Sequence, residues 1–330
     1  MQAHAGFSKI VTDESLRETV RHGSEEYPLQ SYLEDIWLFD FHCVDWHWHP
    51  EVELVLVQTG RAEFLIGSGR YTLEAGSGVF INSQILHRFE AAESTVIPNI
   101  VFSPTLLSPE GSLVYQKYIH PVLVSPAECL VLPPGHPALA LFSALFAAQE
   151  AEGARELKTV ELLLRLWDLL YQYTGAATAS CVPQASPRAQ ARLQIMMQYI
   201  HQNYASPISL DDIAKTVSLS KSSVRNLFCH TIHTSPINYL VQYRLKQAAK
   251  LLSATESSVS SIAQDTGFEN IGYFCRKFKE AFCLTPSEYR KRRRERRRSD
   301  SHVSSMDRKP AAGHQPVGGH AVGLSGSGQR

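Results

Sequence analysis

The chain has 330 residues, 44% of them apolar and 19% charged, with 32 basic and 32 acidic side chains. Its length leaves room for two domains and a tail. No apolar run reaches the ~18 residues of a membrane span, the charged N-terminus holds no secretory signal, and six scattered cysteines without C-x-x-C spacing exclude a zinc or disulfide framework, so a reduced, cytoplasmic chain with no membrane partner is expected.

The zero net charge conceals a division. Residues 1–187 carry 10 basic and 22 acidic side chains, whereas residues 188–298 carry 19 and 8. The second half therefore reads as the partner of a polyanion, with the tract Lys291–Arg298 holding most of the excess.

Residues 1–35 are mixed and carry no clear pattern. From Ile36 short apolar runs alternate with turns: Glu53–Val57 ends at Thr59-Gly60, Ala62–Ile66 at Gly67-Ser68-Gly69, Tyr71–Leu73 at Ala75-Gly76-Ser77-Gly78, and Val79–Ile81 at Asn82-Ser83. Short strands at this turn spacing predict an antiparallel sandwich or barrel over residues 1–126. His47 and His49 stand at i and i+2, so they share one face of a strand, and Glu53 keeps that parity. His87 follows after further strands and can close the cluster. Three imidazoles and a carboxylate suit a divalent transition metal. The same four residues also suit direct contact with a small polar effector, or simple lining of a pocket. Trp46 and Trp48 flank the histidines, and Trp48 is a candidate stacking surface for a sugar-like or planar effector.

This stretch resembles the cupin superfamily. His47, His49, Glu53 and Gly60 fit the spacing of its first motif, and Gly76, Asn82 and His87 fit part of the second, where Ala75 replaces the usual proline. In metal-binding cupins the three histidines and the glutamate are the ligands, so the resemblance implies those roles for His47, His49, Glu53 and His87.

Residues 127–174 read as helical. Pro137–Glu150 is rich in Ala, Leu and Phe, and in Arg155–Tyr173 one apolar row (Leu157, Val160, Leu164, Trp167, Tyr171) lies beside a second (Leu163, Leu166, Leu170). One row can pack on the barrel while the other forms a homodimer interface; burial of both rows within one subunit is the other reading. Residues 175–190, with Gly175, Pro183, Pro187 and a run of small residues, read as a flexible linker.

Residues 191–293 say one thing twice. Ile213-Ala214, Leu219, Phe228, Ser235-Pro236 and Tyr239 recur as Ile262-Ala263, Phe268, Phe278, Thr285-Pro286 and Tyr289, offset by 49 to 50 residues. Each copy reads as helix, tight turn, helix. In the first, Ser209 caps a helix, Ser218-Leu219-Ser220 turns, and Lys221–Thr231 buries Val224, Leu227 and Phe228, leaving Lys221, Ser222, Arg225 and Asn226 outward near its N-terminal end. A recognition helix presents base-reading side chains there, and Arg and Asn pair in bidentate fashion with guanine and adenine. Ser235-Pro236 opens a rod to about Leu252 with Ile237, Val241, Leu245, Ala248 and Leu252 as its stripe. In the second copy Asn270 caps Ile271–Phe282; Tyr273 and Arg276 point outward, Gly272 leaves room for the groove, and Lys277 lays its stem on the core and extends its ammonium toward a phosphate.

This half resembles the AraC/XylS family of bacterial transcription regulators over about 100 residues. The most specific stretch runs Ile262-Ala263, Gly267-Phe268, Tyr273-Phe274, Phe278-Lys279, then Thr285-Pro286-Ser287-Glu288-Tyr289-Arg290. The resemblance implies sequence-specific binding of duplex promoter DNA, most often activation in answer to a small molecule and contact with RNA polymerase. It implies DNA contacts at Lys221, Ser222, Arg225 and Asn226, and at Ile271, Gly272, Tyr273 and Arg276; Asn270 and Lys277, beside them, complete the expected DNA-binding set. Two departures bear on shape: His233 and Cys283 stand where the family has glycine after each recognition helix, which predicts altered helix ends, and Asn226 stands where it has a basic residue. Residues 294–330 read as a basic, Gly- and Ser-rich disordered tail.

The whole is an α+β chain: an N-terminal cupin-like antiparallel β-barrel and a C-terminal all-α tandem helix-turn-helix domain. The expected function is a non-enzymatic DNA-binding regulator needing no cofactor, unless the histidine cluster holds a divalent metal. Two alternatives stand beside it, a metal-dependent cupin oxygenase or isomerase with an appended DNA-binding domain, and a ligand-free regulator whose barrel only dimerises.

Overall fold

The computed structural model describes residues 10–150, 153–177 and 187–295; most of the linker and nearly all of the tail read from the sequence lie outside these residues. Among these residues nine strands, β1 (Leu29–Asp35), β2 (Cys43–His47), β3 (Val52–Leu56), β4 (Arg61–Ile66), β5 (Gly69–Glu74), β6 (Gly78–Ile81), β7 (His87–Glu90), β8 (Val96–Phe102) and β9 (Cys129–Leu132), form two antiparallel sheets. Their orders are β1-β8-β3-β6-β9 and β2-β7-β4-β5. The sheets share a core in which Val55, Val79 and Ile97 of the first meet Val44, Phe64 and Phe89 of the second. The turn into β4 needs Gly60: its φ is +79°, and a Cβ there would lie 2.5 Å from Thr95 Oγ1.

The larger sheet is covered on its outer face as well. A short helix α1 (His120–Leu123) is followed by α2 (Pro137–Ala148) and α3 (Arg155–Ala177). Leu162, Leu163, Leu166, Trp167 and Leu170 of α3 pack with Leu54, Phe80, Ile100 and Phe102 of the sheet. Burial on both faces explains why β3 and β8 are apolar at almost every position rather than alternating, with Glu53 and Asn99 as the polar exceptions that face the barrel interior. Each of these side chains contributes about 1.5–3 kcal/mol by leaving water. Two readings change here. Cys129–Leu132 is an edge strand within the stretch expected to be helical throughout. Trp167 belongs to the inward row, its Nε1 donating to Tyr118 O at 3.0 Å, so the outward row keeps Leu157, Leu164 and Tyr171.

The second half is helical: α4 (Pro187–Asn203), α5 (Leu210–Thr216), α6 (Lys221–Ile232), α7 (Pro236–Ala254), α8 (Val259–Asp265), α9 (Ile271–Phe282), and α10 over 286–295. Capping side chains define the starts. Ser209, Ser220, Ser235, Ser258 and Asn270 each accept a backbone N–H of their helix's first turn. Thr285 and Glu288 bond reciprocally at the start of α10.

The rod α7, 19 residues and about 28 Å long, serves both units. Tyr239 and Leu240 enter the core of the first, with Ile213, Val224 and Phe228. Leu245, Ala248, Ala249 and Leu252 enter the core of the second, with Ile262, Phe274 and Phe278. The expected single stripe is corrected accordingly: Ile237 is exposed, because two cores claim different sides of the rod. Arg244 ties the units together, its Nε donating to Tyr204 O at 2.7 Å and its Nη2 to Ser206 O at 2.8 Å. It approaches so closely that a Cβ on Gly267 (φ +83°) would lie 2.8 Å from Arg244 Nε and 2.6 Å from Tyr204 O.

The expectation of altered helix ends is also corrected. His233 (φ 53°) and Cys283 (φ 56°) both adopt the left-handed conformation that glycine favours after a helix.

Candidate functional site

The barrel centre is built by register. His47 ends β2 directly opposite His87, the first residue of β7, and the pairing slips between Val44 and His47. One extra residue on β2 thus turns both Val44 and His47 inward. His49 lies just past the strand, and Glu53 reaches in from β3. All four are buried, and their ligand-capable atoms lie within 4.8 Å of one another.

The imidazoles are oriented from behind. His47 Nδ1 is 2.8 Å from Asp45 O, His87 Nδ1 2.7 Å from Ile85 O and His49 Nδ1 3.2 Å from Glu51 O. A carbonyl only accepts, so each Nδ1 carries the hydrogen and each Nε2 presents a lone pair. Glu53 Oε2 lies 3.1 Å from His87 Nε2 and 3.6 Å from His49 Nε2. None of those three atoms has a hydrogen-bond partner among the described residues. Bare ring nitrogens facing a carboxylate oxygen repel unless a proton or a cation lies between them. Burial works against the Glu53 charge, but a proton or cation shared with the His49 and His87 ring nitrogens beside it holds its carboxyl well below the usual range. Burial and the neighbouring imidazoles push His47 well below the ordinary histidine value. Oriented neutral imidazoles around an ionised carboxylate are the donor set of a divalent transition metal.

Sequence reasoning missed the opposite wall. The segment before β1 carries Glu18 and His22 over a cavity of ≈ 80 Å³ that Tyr32, Glu34, Asn99, His47, His49 and Glu53 also line. His22 Nδ1 lies 2.8 Å from Tyr32 Oη, and its Nε2 is 3.3 Å from a Glu18 carboxylate oxygen. Burial alone would lower the His22 pKa; the charge of the adjacent Glu18 carboxylate outweighs it and raises the value. The parity of Tyr32 and Glu34 along β1 was the only available signal, since nothing local marks Glu18 or His22.

Trp48 does not join the cavity, which corrects its expected effector role. Its Nε1 donates to Ser15 O at 2.9 Å and Arg17 lies over its ring. Asn82 is likewise structural, donating from Nδ2 to Val122 O and Ala127 O.

On the helical half, Lys221, Ser222, Arg225 and Asn226 are exposed on α6, and Ile271, Gly272, Tyr273 and Arg276 on α9, while Val224, Phe228, Phe274 and Phe278 anchor those helices from behind. Lys221 Nζ lies 2.6 Å from Asp211 Oδ2. Arg276 lies over the Tyr273 ring at 5.5 Å. Asn270 caps α9, its Oδ1 accepting from Tyr273 N at 2.8 Å, so its side chain is engaged in the fold. The Lys277 ammonium, expected to reach out to phosphate, instead donates to Glu280 at 2.7 Å. Exposed Arg, Lys, Ser and Asn near the start of two helices of like construction form a surface for base edges and phosphates.

Comparison with known proteins agrees with both halves. A model described as an AraC-like ligand binding domain matches residues 39–167, and one described as a helix-turn-helix domain matches residues 213–292. The HTH-type transcriptional regulator YdeC of Bacillus subtilis is 28% identical over 294 residues, covering 86% of this chain and 98% of that protein. The HTH-type transcriptional activator RhaS of Yersinia pestis is 23% identical over 258 residues, covering 74% of this chain and 88% of that protein. A crystallised transcriptional regulator of the AraC-type DNA-binding class from Chromobacterium violaceum shares 31% identity over 32% of this chain and 94% of its own, with a TM-score of 0.31.

Proposed function

The chain belongs to the AraC family of DNA-binding transcriptional regulators, and on that premise we propose that it activates transcription from a promoter in answer to a small molecule received at a metal centre in the barrel. The observation that carries the barrel reading is the cluster of unpartnered atoms, His49 Nε2, His87 Nε2 and Glu53 Oε2, closed by His47. His47, His49, Glu53 and His87 would hold the ion, which when bound supplies a Lewis-acidic point for an oxygen of the effector. The protein's own part is to fix the three rings by their Nδ1 hydrogen bonds and to keep the carboxylate ionised.

The DNA reading rests on two outward-facing recognition helices bound to one rod. Arg225 and Asn226 of the first, and Tyr273 and Arg276 of the second, would meet bases, with Lys221 and Ser222 at the backbone. Leu157 and Leu164, exposed seven residues apart on α3, supply the face for a homodimer. RNA polymerase is the further partner an activator requires. No helix of the described residues is long and apolar enough to cross a membrane; a regulator that meets promoter DNA would act in the cytoplasm.

Gel shifts with the chain's own upstream DNA, paired with elemental analysis of the purified protein, test this reading. Arg276→Ala should weaken specific binding by about 1–3 kcal/mol while leaving weak, salt-sensitive binding in place. Equal affinity of variant and wild type would remove α9 from the interface. Substoichiometric metal after purification without chelators, with no gain on adding Zn²⁺, Fe²⁺ or Mn²⁺, would remove the metal centre and leave direct effector contact.

A further inference from the structure

The two recognition helices share a construction and differ in the chemistry they present. Val224 and Phe228 of α6 stand fifty residues before Phe274 and Phe278 of α9, and all four are fully buried. The outward positions therefore correspond at the same offset: Lys221 with Ile271, Ser222 with Gly272, Ser223 with Tyr273, Arg225 with Cys275 and Asn226 with Arg276. The first turn is hydrophilic in α6 and apolar in α9. We infer that α6 reads its half-site by hydrogen bonds to purine edges and α9 reads its own by apolar contact with thymine methyls, so that the operator has two chemically unlike halves. The inference rests on the reading of α6 and α9 as the base-contacting helices and names the base chemistry each one takes.

On α6 the fold engages two of the polar groups. Lys221 Nζ pairs with Asp211 at 2.6 Å, and the Ser223 hydroxyl shares a hydrogen bond with that of the capping Ser220 at 2.9 Å. The side chains of Arg225 and Asn226 make no hydrogen bond or ion pair among the described residues, and both are exposed. A guanidinium and a carboxamide at adjacent positions, one turn into a helix, match O6 and N7 of guanine and N6 and N7 of adenine.

On α9 the start of the helix is apolar and braced. Ile271 is 41% exposed and Tyr273 38%. The Tyr273 ring leans on that of Phe268, 6.3 Å away between centroids, and carries the Arg276 guanidinium at 5.5 Å. Arg276 Nε in turn lies 3.9 Å from Glu280, and the Asn270 carboxamide oxygen is taken by the cap. Ile271 and Tyr273 thus form an apolar step that the free chain leaves in water. The apolar group on the major-groove edge of a base pair is the C5 methyl of thymine. Covering that methyl with Ile271 and Tyr273 removes apolar surface of both partners from water. A cytosine amino group set against Ile271 would lose its water and gain no acceptor, so the same contact disfavours cytosine.

Selection of random duplexes by the full chain, followed by fluorescence anisotropy with modified bases, tests this. Repeating the selection with Arg225→Ala and with Ile271→Ala assigns each half-site to its helix, since each change should relax the sequence in one half. Uracil in place of thymine removes only the methyl. It should weaken binding about fourfold per contacted position in the α9 half and leave the α6 half unchanged. A 7-deaza purine removes N7 and should weaken binding about tenfold or more in the α6 half. Ile271→Ala should bind thymine and uracil duplexes equally at the position it covers. The proposal is overturned by uracil duplexes bound as tightly as thymine throughout the α9 half, or by an equal uracil penalty in the α6 half. It is equally overturned by 7-deaza purines without effect in the α6 half, by an Ile271→Ala chain that keeps the whole uracil penalty, or by variants that fail to relax separate halves. A selection that returns no preferred duplex for the wild-type chain would instead strike the DNA-binding reading itself, and this division of it as well.

Discussion

His233 and Cys283 hold φ near 53° and 56°, each directly after a recognition helix. The left-handed region costs a residue with a Cβ about 1–2 kcal/mol, and glycine's looser unfolded chain gives back about 0.5–1 kcal/mol of that advantage. Cys283→Gly should therefore stabilise the chain by about 0.5–1 kcal/mol, read as a higher denaturant midpoint at unchanged slope; a lower midpoint would show the thiol making a contact worth more than the strain. His201 offers a second test. Burial against Tyr239 and Tyr243 drops its pKa to about 4, with Lys246 and Lys250 adding to burial and Asp45 opposing it. The unfolded chain takes up the proton near the ordinary value of 6.5 and the folded chain resists until about 4. Stability is thus intact above about 6.5 and is lost as pH falls toward 4, by at most about 3 kcal/mol. His201→Gln keeps a partner for Tyr239 Oη and should flatten that slope in denaturation measured across the window. At this scale His47, His49, Glu53 and His87 were legible as a cluster by residue type and spacing and not by strand parity, because His49 lies past the end of β2, Glu53 is on β3, and the slip between Val44 and His47 breaks the alternation. Glu18 and His22 were not legible, because a segment held by isolated bridges and side-chain contacts carries no period to read.

Elements were legible in proportion to their periodicity. The recognition helices, the Asn270 cap and the turn at Gly267 were all readable, since each is fixed by residues within a few positions, whereas Ser220 was read only as part of the turn that it caps. The sheet edge at Cys129–Leu132 was not, because four residues beside a helical stretch become a strand only by pairing with β6, some fifty positions earlier. For α3 the helix was readable and the division of its faces was not, because an apolar row does not say which neighbour covers it. Trp167 went inward with the sheet, and Leu157 and Leu164 stayed outward at 73% and 44% exposure, one heptad apart. A helix face of that kind is stabilised by a second copy of itself. Leu164→Glu places a charge in the middle of the proposed seam and leaves the inward core alone. It should convert a dimer to a monomer in sedimentation velocity at micromolar concentration, with the melting temperature of the barrel little changed. A dimer that persists in this variant would move the interface off α3.

The two halves meet where the barrel centre and the rod share a residue. Leu16, Trp46, Leu65 and Leu86 of the barrel pack with Leu193, Met196, Met197 and Ile200 of α4, and Phe41 packs against Phe282 at the end of α9 with 4.4 Å between tilted ring centroids. Between these patches the Asp45 carboxylate accepts from Arg88 at 2.7 Å and from Lys246 of the rod. Asp45 precedes His47 by two residues on β2, its own carbonyl orients the His47 ring, and Arg88 directly follows His87 on β7. A ligand that shifts His47 or His87 therefore moves the pair that holds Lys246, and the rod it moves carries both recognition helices. Such a link transmits only a difference in affinity between two arrangements, commonly about 1–3 kcal/mol, or roughly 5- to 150-fold in promoter binding. Lys246→Met removes the cross-half ion pair and keeps an unbranched apolar stem against Phe41. The ratio of promoter affinity between metal-loaded and chelated protein, measured by fluorescence anisotropy, should fall toward one in this variant and in Asp45→Asn, while the affinity of the metal itself stays near that of wild type. A ratio unchanged in both variants would mean that the barrel speaks to the DNA-binding half through the apolar patches instead, and that Asp45 and Lys246 only dock them.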